Sequence, residues 1–252
     1  MIEVVDVLLA VVASSVGVFF LRAYQTGIGM VRRIVRQETL HAADVKPGPA
    51  ELAGVLRAAG EPLMSLSGQP AVAIKRTQYH TYQAKNDSDG YRTLSVTRAD
   101  ATRVELTDAS GTCLLDLDRV LLFGPTSSYA ITGANCKAKH PEIWRQVSSE
   151  HADGVTIEAV YIEETIIPDG ITGFVSGTAE ASDELAPGDD YRGVGRRLKL
   201  TGEANRPLIV SAYDEATVLE MLRAPLKRMV IVACVTFAIG AAAIAIPWLV
   251  AP

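Results

Sequence analysis

Apolar positions fall along this chain in three regimes: an unbroken run near the start, short alternating runs through the middle, and a second unbroken run near the end. Val4 to Leu21 has one charged side chain, Asp6, close to its edge, and Met229 to Val250 has none. At 1.5 Å per residue, each run is about long enough to cross a hydrocarbon core of ~30 Å. The pattern predicts two transmembrane helices, one within residues 1–22 and one within 229–252, with a folded domain between them. A secretory signal would open on basic residues and close on a small-residue cleavage site after a short apolar core. Here the start is Met1-Ile2-Glu3 and the core runs into Leu21-Arg22-Ala23-Tyr24, so the first run reads as an uncleaved anchor.

Residues 23–45 read as a basic linker. Ile28, Val31, Ile34 and Val35 share one helical face and Arg32, Arg33 and Arg36 the other, the pattern of a short amphipathic helix that either continues the first span or lies in the interface. Its cations suit anionic headgroups, but a stop-transfer flank that only sets orientation is the simpler reading. Arg22, Arg32, Arg33 and Arg36 follow the first span, Arg223, Lys227 and Arg228 precede the second, and the outer ends carry no Lys or Arg. The positive-inside rule then places the domain in the cytoplasm, with the plasma membrane as the expected location. Long domains also cross regardless of flanking charge, so an exoplasmic domain is the alternative. The small-xxx-small pairs Ala238/Ala242 and Ala241/Ala245, with Ser14 and Ser15 opposite, are the expected contact between the spans.

Residues 46–228 have the texture of strands and turns. Glu51 to Arg57 and Ala71 to Lys75 are apolar runs, Gln78 to Gln83 alternates, and Asn86-Asp87-Ser88-Asp89-Gly90 is turn chemistry that predicts a hairpin. Thr102 to Leu106 and Thr112 to Leu117 flank Asp108-Ala109-Ser110-Gly111, a second hairpin. Pro125 to Pro141 reads as loops through Gly133, Asn135 and His140-Pro141, with Trp144 anchoring a short segment. Val155 to Ile162 alternates and leads through Glu163-Glu164 and Pro168-Asp169-Gly170 into a glycine-dotted strand, Ile171 to Ala179. Ser182 to Gly195 reads as a polar loop, and Leu198 to Gly202 with Pro207 to Val210 as a last strand pair. Ser211-x-x-Asp214 then opens a helix in the manner of a capping box, with Val218, Leu219 and Leu222 buried and Pro225 ending it. The fold class expected is a mainly β (α+β) domain of antiparallel strands, specifically an OB-like barrel, between two transmembrane helices.

Charge narrows function more than motif does. All 24 Lys and Arg and all but two of the 29 Asp and Glu lie between the spans, leaving the domain slightly acidic. A nucleic-acid binder needs a basic face to release phosphate counterions, so nucleic acid is not an expected partner. Three cysteines, Cys113, Cys136 and Cys234, and four histidines, His41, His80, His140 and His151, show no ligand pairs at zinc spacing. Cys136 and His140 are four apart, but no orienting carboxylate follows from spacing, and solvated loop residues are the better reading. Gly193-x-Gly195 lacks the strand-to-helix context of a phosphate loop. Glu163 and Glu164, as neighbours on a strand, point to opposite faces, so at most one faces a pocket. No residue is assigned a catalytic, cofactor-binding or metal role, and no cofactor is expected.

Pro47-Gly48, Asp108-x-x-Gly111, Glu163-Glu164-x-Ile166-Ile167-Pro168-x-Gly170, Gly173-x-Val175 and Leu198-x-Leu200-Thr201-Gly202 stand in an order that resembles the GIDE or BAM ("beside a membrane") domain. That domain lies between the two spans of MULAN-like mitochondrial E3 ubiquitin ligases and has bacterial and archaeal counterparts. The resemblance implies a domain that holds protein partners next to a bilayer, and, against the flanking charge, one that faces away from the cytosol. The family's ligases continue into a RING with eight zinc ligands, which nothing before Pro252 replaces. The expectation is therefore a non-enzymatic, membrane-tethered scaffold touching membrane lipids and an unidentified protein partner, with self-association left open. The alternative is a ubiquitin-ligase-like transferase or a hydrolase with an unrecognised site.

Overall fold

The computed structural model describes residues 4–83, 91–149, 156–185, 196–204 and 206–250. It divides into two compact units, Met1–Glu38 with Asp214–Pro252, and Thr39–Tyr213.

The first unit is a pair of long helices, α1 (Val4–Arg36) and α4 (Glu215–Val250). Both are long and apolar enough to cross a membrane, and only 11% and 17% of their most apolar windows is buried, unlike the mostly buried interior helices of a soluble core. At 33 and 36 residues each is also longer than the bilayer requires, by several turns. The more buried positions of α1 recur at Ala10, Ala13, Gly17, Phe20, Tyr24, Gly27, Val31 and Ile34, and those of α4 at Leu219, Leu222, Leu226, Met229, Ala233, Thr236 and Gly240. Alternating steps of three and four are the 3.5-residue repeat of a left-handed supercoil. Partners run antiparallel: Gly27 meets Leu226, Gly17 meets Thr236 and Phe237, and Gly240 meets Ala10, Ala13 and Ser14.

Three expectations are corrected here. The contact between the spans uses Gly240 and Ala233; Ala238, Ala242, Ala241 and Ala245 are all exposed, and Ser15 bonds back to Val11 O on its own helix, while Ser14 does sit at the contact. Residues 28–36 continue α1, one of the two arrangements expected, but Val35 is exposed while Val31 and Ile34 are buried. Pro225 does not end its helix: α4 runs through it into the span, N-capped by Asp214, whose Oδ1 accepts from Thr217 N at 2.9 Å. Ser211 Oγ instead accepts from Tyr213 N.

The second unit is mainly β. Its elements are β1 (Gly48–Ala58), β2 (Leu63–Met64), β3 (Pro70–Gln83), β4 (Tyr91–Ala101), β5 (Val104–Thr107), β6 (Thr112–Leu115), β7 (Val120–Phe123), β8 (Thr126–Thr132), α2 (Gly133–Lys139), α3 (Pro141–Ser149), β9 (Thr156–Pro168), β10 (Ile171–Leu185), β11 (Arg196–Thr201) and β12 (Leu208–Ser211). Ladders join β1 to β5, β5 to β6, β6 to β11, β11 to β10 and β10 back to β1, which closes a five-stranded barrel. Numbered among themselves these strands run 1-2-3-5-4-1 with the third and fifth parallel, the connectivity of an OB barrel. Leu52, Leu56, Leu106, Cys113, Leu115, Val175 and Leu200 fill it.

The glycines of β10 now have a cause. That strand is shared, pairing with β1 along one edge and with β12 and then β11 along the other. A Cβ at Gly173 would strike Ser211 O and the Leu56 side chain, and one at Gly177 would stand 3.0 Å from Thr201 O. Leu198 to Gly202 and Pro207 to Val210 do form strands, but they pair with β10 rather than with each other, and β12 continues in parallel to β7. Long-range pairing to a shared strand leaves no local sign.

A second sheet, half a barrel, is built by β3 flanked by β2 and β4 on one edge and by β9 on the other, with β8 beyond β9. The predicted β3–β4 hairpin is present, Gln83 opposite Tyr91, although its Asn86–Gly90 turn lies outside the described residues. Pro125 to Pro141, read as loops, is instead β8 and α2, the helix started by Thr132, whose hydroxyl accepts from Asn135 N at 3.4 Å. Alternation over seven residues there is masked by small polar side chains, and caps rather than apolar periodicity mark the helices. Ser182 to Leu185 belongs to β10, not to a loop.

Candidate functional site: a cleft on the outer wall of the barrel

The site begins with strand alternation. Val104, Leu106, Cys113, Leu115 and Leu200 point into the barrel, so their neighbours Glu105, Leu114 and Lys199 point out. Register puts Glu105 and Lys199 on either side of Leu114, which is only 7% exposed. Leu114 lines an open cleft of about 720 Å³. The end of β4 and the link after it (Ala99, Ala101, Thr102, Arg103) form one wall, and the turn after β6 (Asp116, Leu117, Asp118) another. Thr102 N donates to Val72 O at 3.1 Å, and Asp116 N donates to Leu200 O at 2.8 Å, so both walls are tied to strands.

The charged groups are mixed. Lys199 Nζ lies 3.3 Å from Asp116 Oδ2, with the two side chains 36% and 34% exposed. Water screens such a pair, and it contributes about 0–1 kcal/mol to stability. It therefore stays available to exchange partners. Arg103 and Asp118 add one charge of each sign. A mixture of both signs at an open cleft suits a polypeptide carrying both charges better than a phosphate backbone.

The sequence-level candidates are not brought to this cleft. Cys136 is fully buried on α2, in a cluster with Ile143, Val147, Val160 and Ile162. Burial, assisted by Glu142, raises its thiol pKa, the wrong direction for a nucleophile. His140 caps the same helix and donates its backbone N–H to Cys136 O at 2.9 Å. Glu163 is exposed and Glu164 1% exposed, as alternation requires. Glu164 is fully engaged: Oε1 accepts from Arg76 Nε at 2.8 Å, and Oε2 from Leu66 N at 3.0 Å. Arg76 also donates to Met64 O and lies 3.7 Å from Asp100, so this network locks β2, β3, β4 and β9 together. His41 stands 3.7 Å from Asp108, and His80 is fully buried on β3 opposite Val160. His151 and Gly193-x-Gly195 lie outside the described residues.

Cys113 faces the barrel interior and donates to Leu198 O at 3.4 Å, its thiol pKa pushed up to about 11 by burial. Cys113 and Cys136 are free thiols in separate clusters. Among the described residues no group of three or more His, Cys, Asp or Glu is placed to hold a metal ion.

Asp108 does the work its spacing predicts. Its Oδ1 accepts from Ser110 N, Ser110 Oγ and Gly111 N, closing the β5–β6 turn, and its Oδ2 accepts from Ala42 N at 2.8 Å. The hydroxyl of Ser110 and the backbone donors hold this carboxyl well below the usual range. What sequence reasoning missed is the cleft and the Arg76–Glu164 pair. A signal for the pair exists in Ile74, Arg76, Gln78 and His80, which put three polar side chains on one face of a strand. The cleft has none, because it depends on β6 meeting β11 across a separation of many residues. No family model, curated protein or solved structure matches this chain.

Proposed function

We propose that this chain is a membrane-tethered interaction domain that performs no chemistry of its own and takes a protein segment of mixed charge in the barrel cleft. The observation that carries the reading is the open, mixed-charge cleft on a barrel whose chain enters and leaves through helices able to cross a bilayer. Catalysis asks for groups shielded from water and shifted toward a task. Here the buried thiols are shifted away from reactivity, and the carboxylate of Glu164 is consumed by structure. A tether raises the effective concentration of partners confined to the same surface, so a modest contact is enough.

On this reading the protein is kin to the GIDE/BAM domain in architecture and role. It sits in the plasma membrane with the barrel in the cytoplasm, as the basic inner flanks favour. The test is affinity purification of the intact chain from its native membrane beside Asp118→Lys and Lys199→Glu variants. A partner recovered by the native chain and lost by both variants supports the reading. Hydrolytic or ubiquitin-transfer turnover that depends on Asp116 or Asp118 would replace it with an enzyme.

A further inference from the structure

The juxtamembrane end of α4 carries a second concave surface, a groove of about 610 Å³ lined by Ala216, Glu220, Arg223, Ala224, Lys227 and Arg228. Its shape follows from the helix running unbroken through Pro225, which keeps these positions at steps of three and four along one stripe. Alanines at 216 and 224 leave a notch between longer side chains. Among the described residues, none of Arg223, Lys227 and Arg228 makes a salt bridge. The charge is graded along the axis: Glu220 lies at the end away from the apolar run, and Lys227 and Arg228 immediately precede Met229, where that run begins. Antiparallel pairing of Gly27 with Leu226 and Gly17 with Phe237 brings Arg22 of α1 to about the level of Ile231. The cations are therefore concentrated where a headgroup layer meets the helix pair.

We infer that this groove is a binding site for the phosphate of an anionic phospholipid, held by Arg223, Lys227 and Arg228 with the rest of the headgroup over Ala224. It rests on the two helices crossing a bilayer and not on the barrel cleft. A plain orientation signal needs the charges but not the notch, which separates the two readings. Each cation near an anionic surface contributes roughly a fivefold preference, so a three-cation site favours anionic over zwitterionic lipid by up to about 100-fold before competition and salt reduce it.

The experiment places the full chain in phosphatidylcholine vesicles containing a minority of phosphatidylglycerol, and compares spin-labelled phosphatidylglycerol with spin-labelled phosphatidylcholine at the protein perimeter. The native chain is expected to prefer the anionic probe at least about fivefold, the effect of one fully engaged cation. Arg223→Gln/Lys227→Gln/Arg228→Gln should bring the preference close to one. Ala224→Phe, which fills the notch and keeps every charge, should lower it severalfold. Arg32→Gln/Arg33→Gln/Arg36→Gln, on the other helix, should leave most of it. A preference untouched by Ala224→Phe, or lost equally with the α1 triple variant, overturns the site in favour of diffuse charge. Displacement of the anionic probe by inorganic phosphate overturns the lipid as its occupant.

Discussion

Replacing Arg76 with Met isolates what the buried ion pair does for the second sheet. The substitution keeps an unbranched side chain about as long as the aliphatic stem of Arg76 and removes the guanidinium that Glu164 Oε1 uses at 2.8 Å. Glu164 is 1% exposed and would keep only the Leu66 N–H, at 3.0 Å. Leaving a buried charge without its partner costs about 3–5 kcal/mol. The companion Arg76→Met/Glu164→Gln removes the charge while retaining an acceptor for Leu66 N, and should recover most of that loss, to within about 1–2 kcal/mol of the native chain. Cys136 offers the readout, because it is fully buried on the helix above the same sheet face and labels only when that region opens. Native-state labelling of the detergent-solubilised chain, followed site by site by mass spectrometry, should speed up more than about 100-fold in Arg76→Met and less than about 30-fold in the double variant. An increase below about fivefold in Arg76→Met would refute the claim that the pair carries this sheet.

Three further outcomes follow from the same structure. A Cβ on Gly240 would lie 3.6 Å from Ala13 Cβ, inside the range for a disulfide, so Ala13→Cys/Gly240→Cys should cross-link under mild oxidation while Ala13→Cys/Ala238→Cys does not; the reverse would restore the alanine seam. For Asp108 the folded-state pKa lies below the unfolded one, so its contribution is complete above about pH 4 and is lost as pH falls toward the depressed value. Asp108→Asn should lower the melting temperature at neutral pH and flatten its decline in acid, and an unchanged acid slope would contradict the assignment. Impermeant thiol reagents cannot report the side of the membrane through Cys113 or Cys136, since both are buried. An Asp118→Cys variant should label only after lysis if the barrel is cytoplasmic, and labelling of intact cells would place it outside.

The legible parts of this chain are those coded by local chemistry. The long apolar runs, the Asp108-x-x-Gly111 turn and the opposite orientation of Glu163 and Glu164 all follow from spacing alone, and each is where the residues put it. The illegible parts depend on distant partners. Gly240 outranks Ala238 at the helix contact only because the supercoil repeat brings it against Ala13 and Ser14. Pro225 is tolerated within α4, although its ring removes a donor from the helix ladder. β8, spelled Thr-Ser-Ser-Tyr-Ala-Ile-Thr, is a strand because β9 offers it an edge. The cleft belongs to the same class, since Leu114 and Lys199 are neighbours only after β6 and β11 pair in parallel.

The most direct test is to place a photoreactive amino acid at Ala99, an exposed and uncharged position lining the cleft, and separately at Glu163, on the exposed face of the second sheet, in the full chain in its native membrane. A partner seated in the cleft gives a discrete protein adduct from position 99 that disappears when Lys199→Glu is added, and none of that adduct from position 163. The same adducts from both positions, or an adduct from 99 indifferent to Lys199, would contradict the cleft as the place where this protein meets its partner.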